Sequence, residues 1–348
     1  MSKWIWSALL ISAAWIAIAL AAALPVTPKR PVVDHYGNVK VIDNYRWLEK
    51  WNDPKVQAWS DSQNAVARAF LDGLPMRPAV LRQIEGLTGK SSPSWFGLWR
   101  AGGVYFALKN DPPKQQPVLV MLRSLTAPTA EKVLVNPNTI DPSGATTIDF
   151  FVPSLDGSKI AVSLSQGGTE SGTIHVWEVQ TGRKLADAVP LVNGGTAGGS
   201  IAWNAAGTGF WRTRYPASGE RPPQDLPFYQ QIYFHKLGTP AAADKYIVGK
   251  EFPKIAEIQL QSSDDGKWVL ADVLNGDGGD HMMWLASQTE GVFHQLSNFA
   301  DRVVGAHFGR GLLYLLSRKN APNGKVLRLF KRDENRLLYA DNLAIEFA

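Results

Sequence analysis

Between Val152 and Leu185 the chain alternates apolar and other side chains with a period of two. Ile160, Val162 and Leu164 are separated by Ala161 and Ser163, and Ile174, Val176 and Glu178 by His175 and Trp177. That period predicts strands. Asp156-Gly157 turns the chain before the first run, Gln166-Gly167-Gly168 and Ser171-Gly172 separate the two runs, and Thr181-Gly182 closes the second. Each break supplies residues that tolerate a positive φ. Strand, hairpin, strand and turn together predict the inner part of a propeller blade.

The same unit recurs along the chain. Upstream, Trp95 to Lys109 holds two runs turned at Ala101-Gly102-Gly103, with a third run from Pro117 to Arg123. Downstream, Ile201 to Thr213 turns at Ala206-Gly207 and is followed by Tyr229 to Leu237, after a proline-rich loop from Pro216 to Pro227. Ile258 to Val273 turns at Asp265-Gly266 and precedes His281 to Leu285 and Phe293 to Leu296. Val303 to Ser317, turned near Gly309-Arg310-Gly311 and followed by Val326 to Leu329, begins a fifth copy. The turn glycines recur every roughly 40 to 60 residues, the spacing of propeller blades. The predicted fold is mainly β: an incomplete, about five-bladed propeller over 89–330.

Helical spacing is confined to 43–88. Asn52 or Asp53 caps a helix with Pro54 in its first turn and Val56, Trp59, Gln63, Val66 and Phe70 along one face, ending at Gly73 and Pro75. A shorter helix is expected from Arg77 to Glu85, and Trp47, Trp51 and Trp59 are expected to pack into a core.

The two ends differ from the middle. Lys3 precedes an apolar run from Trp4 to Leu24 that closes on Ala21-Ala22-Ala23. Small residues in an A-x-A arrangement fit signal-peptidase cleavage, so 1–24 is expected to be a signal peptide, with a retained membrane anchor as the alternative. An extended linker is expected over 25–42, and the charged 331–348 reads as a tail.

Composition adds exclusions. The 348 residues are 45% hydrophobic and 19% charged, enough to bury a large core. A formal charge of +5 comes from singly scattered Lys and Arg, so no nucleic-acid partner is expected. With no cysteine, disulfides and thiolate metal sites are excluded.

Catalytic and cofactor motifs fail one by one. Gly198-Gly199-Ser200 is followed by Ile201-Ala202, so the G-x-S-x-G elbow is absent and Ser200 reads as an ordinary loop residue. Gly89-Lys90-Ser91 lacks the upstream glycine of a phosphate loop, Ile84 standing there instead. Asn275 to Asp280 lacks the terminal glutamate of a calcium loop and reads as a hairpin turn. His35, His175, His235, His281, His294 and His307 show no H-x-x-x-H spacing, and His175 reads as structural. The expectation is no catalytic, metal-ligating or cofactor-binding residue, and no cofactor.

Asp43-Asn44-Tyr45-Arg46-Trp47-Leu48-Glu49, with Trp59 and Gln63-Asn64 after it, resembles the entry motif of the prolyl oligopeptidase family of serine peptidases. The resemblance continues through Ser154-Leu155-Asp156-Gly157 with Ser163-Leu164-Ser165, through Phe228 to Thr239, and through Ala321 to Val326, covering about Pro31 to Leu329. It implies the N-terminal part of a two-part enzyme. In such enzymes a seven-bladed propeller, entered through a helical segment, covers a C-terminal α/β-hydrolase domain with a Ser-Asp-His triad and admits only short peptides. Here that catalytic domain is expected to be absent, and no catalytic residue carries over.

Three readings follow. The chain is the propeller part of an exported, periplasmic or secreted, prolyl-oligopeptidase-like serine endopeptidase, a fragment inactive alone. Alternatively it is a non-catalytic propeller that binds a peptide or partner protein, or half of a split peptidase. Short peptides are the expected partners, through a missing or separately encoded hydrolase domain, and a membrane only if 4–24 is retained. An unclosed edge and an uncovered helical face predict an aggregation-prone or oligomeric chain.

Overall fold

The computed structural model describes residues 25–89, 92–128, 130–330 and 339–343. Its contacts divide the chain into two compact units, Met1–Lys90 and Ser91–Ala348. The apolar run of 4–24 and the charged residues 331–336 lie outside the described residues.

The first unit begins with a hairpin. Strands β1 (Val32–Tyr36) and β2 (Val39–Asp43) pair antiparallel, with Gly37 in the turn at φ +60°. The linker expected over 25–42 is thus partly folded. The β-branched residues Val32, Val33, Val39, Val41 and Ile42 on either side of Gly37-Asn38 favour a hairpin over free coil. Arg46 anchors the hairpin, donating to both carboxylate oxygens of Asp34 and, at 3.2 Å, to Asp43.

Helix α1 (Pro54–Asp72) starts where the capping pattern places it, with the Asp53 carboxylate accepting from the Lys55 amide at 2.9 Å. Helix α2 (Arg77–Thr88) runs one turn past the expected Glu85. Trp47 and Trp59 meet edge to face, ring centres 6.2 Å apart, and their indole N–H groups donate to the Pro28 carbonyl and the Thr27 hydroxyl. Trp51 does not join them. It is 60% exposed, because it lies in the turn before α1 and outside the helical repeat.

The second unit consists of five four-stranded antiparallel blades, the fourth and fifth joined edge to edge by a single pairing of His281 with Val303. The first holds β3 (Ser94–Ala101), β4 (Val104–Asn110), β5 (Val118–Leu122) and β6 (Glu131–Val135). After the single-turn helix α3 (Pro137–Ile140), the second holds β7 (Thr146–Pro153), β8 (Lys159–Gln166), β9 (Thr173–Glu178) and β10 (Lys184–Val189). The third holds β11 (Ile201–Trp203), β12 (Gly209–Arg214), β13 (Gln231–Lys236) and β14 (Lys245–Val248). The fourth holds β15 (Ala256–Ser262), β16 (Trp268–Asn275), β17 (His281–Ser287) and β18 (Phe293–Gln295). The fifth holds β19 (Val303–Gly309), β20 (Leu312–Ser317), β21 (Lys325–Phe330) and β22 (Tyr339–Leu343).

Two details revise the sequence reading. The alternating runs of 152–185 are the second and third strands of their blade, and the first strand, β7, ends at Pro153 just as that stretch begins. Within 331–348, Tyr339–Leu343 pairs with β21 and gives the fifth blade its fourth strand. Among the described residues no strand pairing joins the first blade to the fifth, so the propeller is incomplete.

The cores lie between successive blades. Phe106, Leu119 and Phe151 with Ile160 and Val162 fill the space between the first and second. Ala161, Ile174 and Val176 meet Ile201, Trp203 and Phe210 of the third. Trp211 and Ile232 meet Ile258, Val269 and Val273 of the fourth, and Leu270, Met283 and Leu285 meet Phe308, Leu313 and Leu315 of the fifth. Each fully buried Ile, Leu or Phe contributes about 1.5–3 kcal/mol relative to exposure.

Candidate functional site

The feature that organises the second unit is the row of first strands, one per blade. The Trp203 indole in β11 donates to the Val152 carbonyl in β7 at 2.9 Å. The Ser262 hydroxyl in β15 donates to the Trp203 carbonyl at 2.6 Å, and the Leu260 amide donates to the Ser200 hydroxyl at 2.9 Å. Between the fourth and fifth blades, Gln261 Nε2 lies 3.4 Å from His307 Nδ1. The first strands of the second to fifth blades therefore lie side by side in chain order. Ser200 is not the ordinary loop residue expected: it is buried, and its amide also donates to Thr213 Oγ1 at 2.9 Å.

The turns that follow the first strands of the second and fourth blades share one chemistry. In the second blade the Ser154 hydroxyl donates to Asp156 at 2.6 Å and accepts the Lys159 amide at 3.0 Å, while Asp156 accepts the Ser158 amide. In the fourth blade Ser263, Asp265, Lys267 and Trp268 repeat this bond for bond. These turns also abut one another. A Cβ on Gly102 would overlap the Asp156 carbonyl oxygen, and one on Gly266 would come within 2.8 Å of the Ala205 side chain.

Two groups of polar residues stand out. Asp149 sits at a register shift of β7, where its carboxylate accepts the hydroxyls of Ser163 and Ser165. Burial pushes its pKa up, against those two hydrogen bonds and with help from Glu170. The second group joins the second and third blades. Arg212 donates to Asp244 at 2.6 Å and to the Pro190 carbonyl at 3.2 Å. His235 lies between Asp244, 2.6 Å away, and Asp187, 3.2 Å away, and Asp187 also accepts the Gly238 amide at 2.7 Å. Arg212 and His235 are 1% and 0% exposed. Burial pulls the Arg212 pKa down, with Asp244 opposing.

The other histidines are dispersed. His175 in β9 meets the Trp177 ring edge to face and has one long polar contact, 3.4 Å, to the Asp187 carbonyl; burial, with Lys184 nearby, lowers its pKa. His281 lies 2.9 Å from Asp272, and His35 and His294 are exposed. Among the described residues no group of three or more His, Asp or Glu is placed to hold a metal ion. Asn275 to Asp280 forms the expected turn, with Gly276 and Gly278 at φ +73° and +71°. The geometry holds strands in register and gathers Gln, His and Asp side chains between blades; among the described residues no serine or threonine hydroxyl is hydrogen-bonded to a histidine, and the serines on Asp149, Asp156 and Asp265 lie within strands and turns.

Comparison with known proteins matches this arrangement. The family described as "Prolyl oligopeptidase, N-terminal beta-propeller domain" matches residues 25–338. The chain belongs to that family. The match extends into 331–348, the stretch expected to depart from the family. A prolyl endopeptidase of Elizabethkingia meningoseptica is 26% identical over 308 residues, covering 87% of this chain and 42% of that protein. Prolyl oligopeptidase A of Galerina marginata is 23% identical, covering 77% and 39%. A solved prolyl endopeptidase superimposes with a TM-score of 0.77 at 25% identity, covering 90% of this chain and 45% of that one. Prolyl oligopeptidase B of Galerina marginata, bound to a 35mer substrate, shares the fold with a TM-score of 0.74. The chain spans about two fifths of the length of the curated relatives it matches.

Proposed function

We propose that this propeller is the substrate-gating part of an exported prolyl-oligopeptidase-like serine endopeptidase, passing short peptides to a hydrolase domain and hydrolysing none itself. The observation that carries the reading is the family match over 25–338 with less than half of each relative covered. The 348 residues contain no G-x-S-x-G elbow, so the nucleophile comes from residues outside this sequence, on the same polypeptide or another. Export rests on Lys3, the apolar run of 4–24 and its A-x-A ending.

The test is an assay of the purified 348-residue chain on a proline-containing chromogenic peptide, alone and with a prolyl oligopeptidase hydrolase half. The expected result is no inhibitor-sensitive cleavage alone. Turnover by the chain alone, blocked by a serine-directed inhibitor, overturns the reading. Export is tested separately, by N-terminal sequencing of the mature chain: a start between Ala23 and Pro25 supports cleavage, and an intact Met1 on membranes supports the anchor.

A further inference from the structure

Both ring nitrogens of His235 face carboxylates: Nδ1 lies 2.6 Å from Asp244 Oδ1, and Nε2 lies 3.2 Å from Asp187 Oδ1. At His281 the Asp272 carboxylate meets Nδ1, and at His175 the polar contact is to a carbonyl. An ionised carboxylate only accepts, and a neutral imidazole donates from one nitrogen alone, so two carboxylates call for two ring N–H groups. Neither carboxylate is placed to supply the missing proton. Asp187 Oδ1 already accepts the Gly238 amide at 2.7 Å, and Asp244 Oδ2 accepts from Arg212 Nε at 2.6 Å, beside a guanidinium that favours the ionised form.

Charge balance points the same way. The side chains of Asp187, Arg212, His235 and Asp244 are each no more than 4% exposed. With a neutral ring, one cation faces two carboxylates and a net charge is buried; with an imidazolium, two cations meet two anions. Phe210 packs on the ring, centres 5.2 Å apart, and beyond Arg212 stand Tyr233 and Arg214, the latter paired with Glu220.

We propose that His235 is held as an imidazolium and works as a pH-sensitive clasp, donating at once to Asp244 of its own blade and to Asp187 of the second. Asp187 lies in β10, the strand of its blade farthest from the row of first strands. The clasp thus joins the two blades away from that row, whereas Trp203 and Val152 join them within it. Withdrawing the proton sets a ring lone pair against a carboxylate and leaves the group one charge out of balance. Because the folded chain holds a proton that an unfolded histidine releases near neutrality, the stability drawn from the clasp is present in mild acid and is lost as pH rises. The clasp is independent of any hydrolytic step.

The first test is a long-range proton–nitrogen correlation spectrum of the full chain with isotope-labelled histidine at neutral pH. One imidazole with both ring nitrogens fully protonated is expected, and its signature is lost in Asp187→Asn, where the carboxylate facing Nε2 becomes an amide. A wild-type spectrum without such an imidazole overturns the proposal with no variant involved. A signature that survives Asp187→Asn unchanged also overturns it, since the proton then does not depend on the second blade. The second test follows the gap in melting temperature between wild type and Asp187→Asn/His235→Gln from mildly acidic to mildly basic pH. The gap is expected to narrow as pH rises, a shift that lost packing alone does not produce, and a gap that stays constant overturns the clasp.

Discussion

His235 Nδ1 lies 2.6 Å from Asp244 Oδ1, deep between the second and third blades. Because Arg212 holds the other oxygen of the same carboxylate, Asp244 is shared by two buried basic side chains. Removing one partner of such a group leaves a charge without compensation. Arg212→Met is expected to lower stability by about 3–5 kcal/mol, read as a shift of the urea midpoint. Arg212→Met/Asp244→Leu should cost less than the sum of its parts. Strict additivity of the two single changes would show that the residues do not act as a unit.

Asp149 gives a pH dependence of definite sign. Its folded pKa is raised by burial, so the native state holds a proton that the unfolded chain has already released. Stability from this group is therefore lost as pH rises from the ordinary carboxylate range through the raised value. Asp149→Asn is expected to melt no lower than wild type at neutral pH and to lose any advantage in acid. A variant clearly less stable than wild type at pH 7 contradicts this account.

The turn aspartates work in the opposite direction. At Asp156 burial opposes ionisation, but the Ser154 hydroxyl and the contacts of Ser158 outweigh it and hold the pKa below its ordinary value; at Asp265, Ser263 and Lys267 do the same. Their contribution is present above the unfolded carboxylate pKa and is lost as pH falls through the depressed one. Asp156→Asn/Asp265→Asn should flatten the acid limb of a melting-temperature profile. An acid limb as steep as that of wild type would assign it to other carboxylates.

Gly102 and Gly103 are adjacent and both have positive φ, +55° and +78°, yet only Gly102 is hemmed in. Gly103→Ala meets nothing within 4 Å and carries only backbone strain, about 1 kcal/mol. Gly102→Ala carries the same strain plus displacement of the Asp156 turn. The difference between the two melting temperatures isolates the contact between blades, and equal values would remove that contact from the account.

Ser200→Ala strips the acceptor from the buried Leu260 amide, an expected loss of about 1–3 kcal/mol. A change within about 0.5 kcal/mol, the usual range for surface positions, would return Ser200 to the loop role its sequence suggests.

Much of the blade pattern is legible in the chain because the second and third strands are long, alternating and bounded by Asp-Gly or Gly-Gly turns. The fourth strands β6, β10 and β14 are not. Each departs from regular pairing, with register shifts at Leu119/Val120, Lys184/Ala188 and Ile232/Tyr233, so the period of two is broken where it is needed. The hairpin at Val32–Asp43 hides behind its prolines. The buried charge group has no local signature, since Asp187, Arg212, His235 and Asp244 come from separate strands and loops and meet only when two blades pack. Its one sequence trace is His235 itself, inside the segment Phe228 to Thr239 that carries the family resemblance.

Strand β11 has three residues, yet Trp203 within it touches both neighbours, its indole donating backward to Val152 and its carbonyl accepting forward from Ser262. One residue thus serves as the hinge pin between the second and fourth blades. Trp203 sets their spacing together with the Ser200–Leu260 bond and the cores between the blades, and it is the residue through which stress at one end of the row passes to the other. In such a serial arrangement a blade does not loosen alone. Whatever widens or narrows the row must move its neighbours in step, so the blades behave as a coupled iris and not as a set of independent flaps.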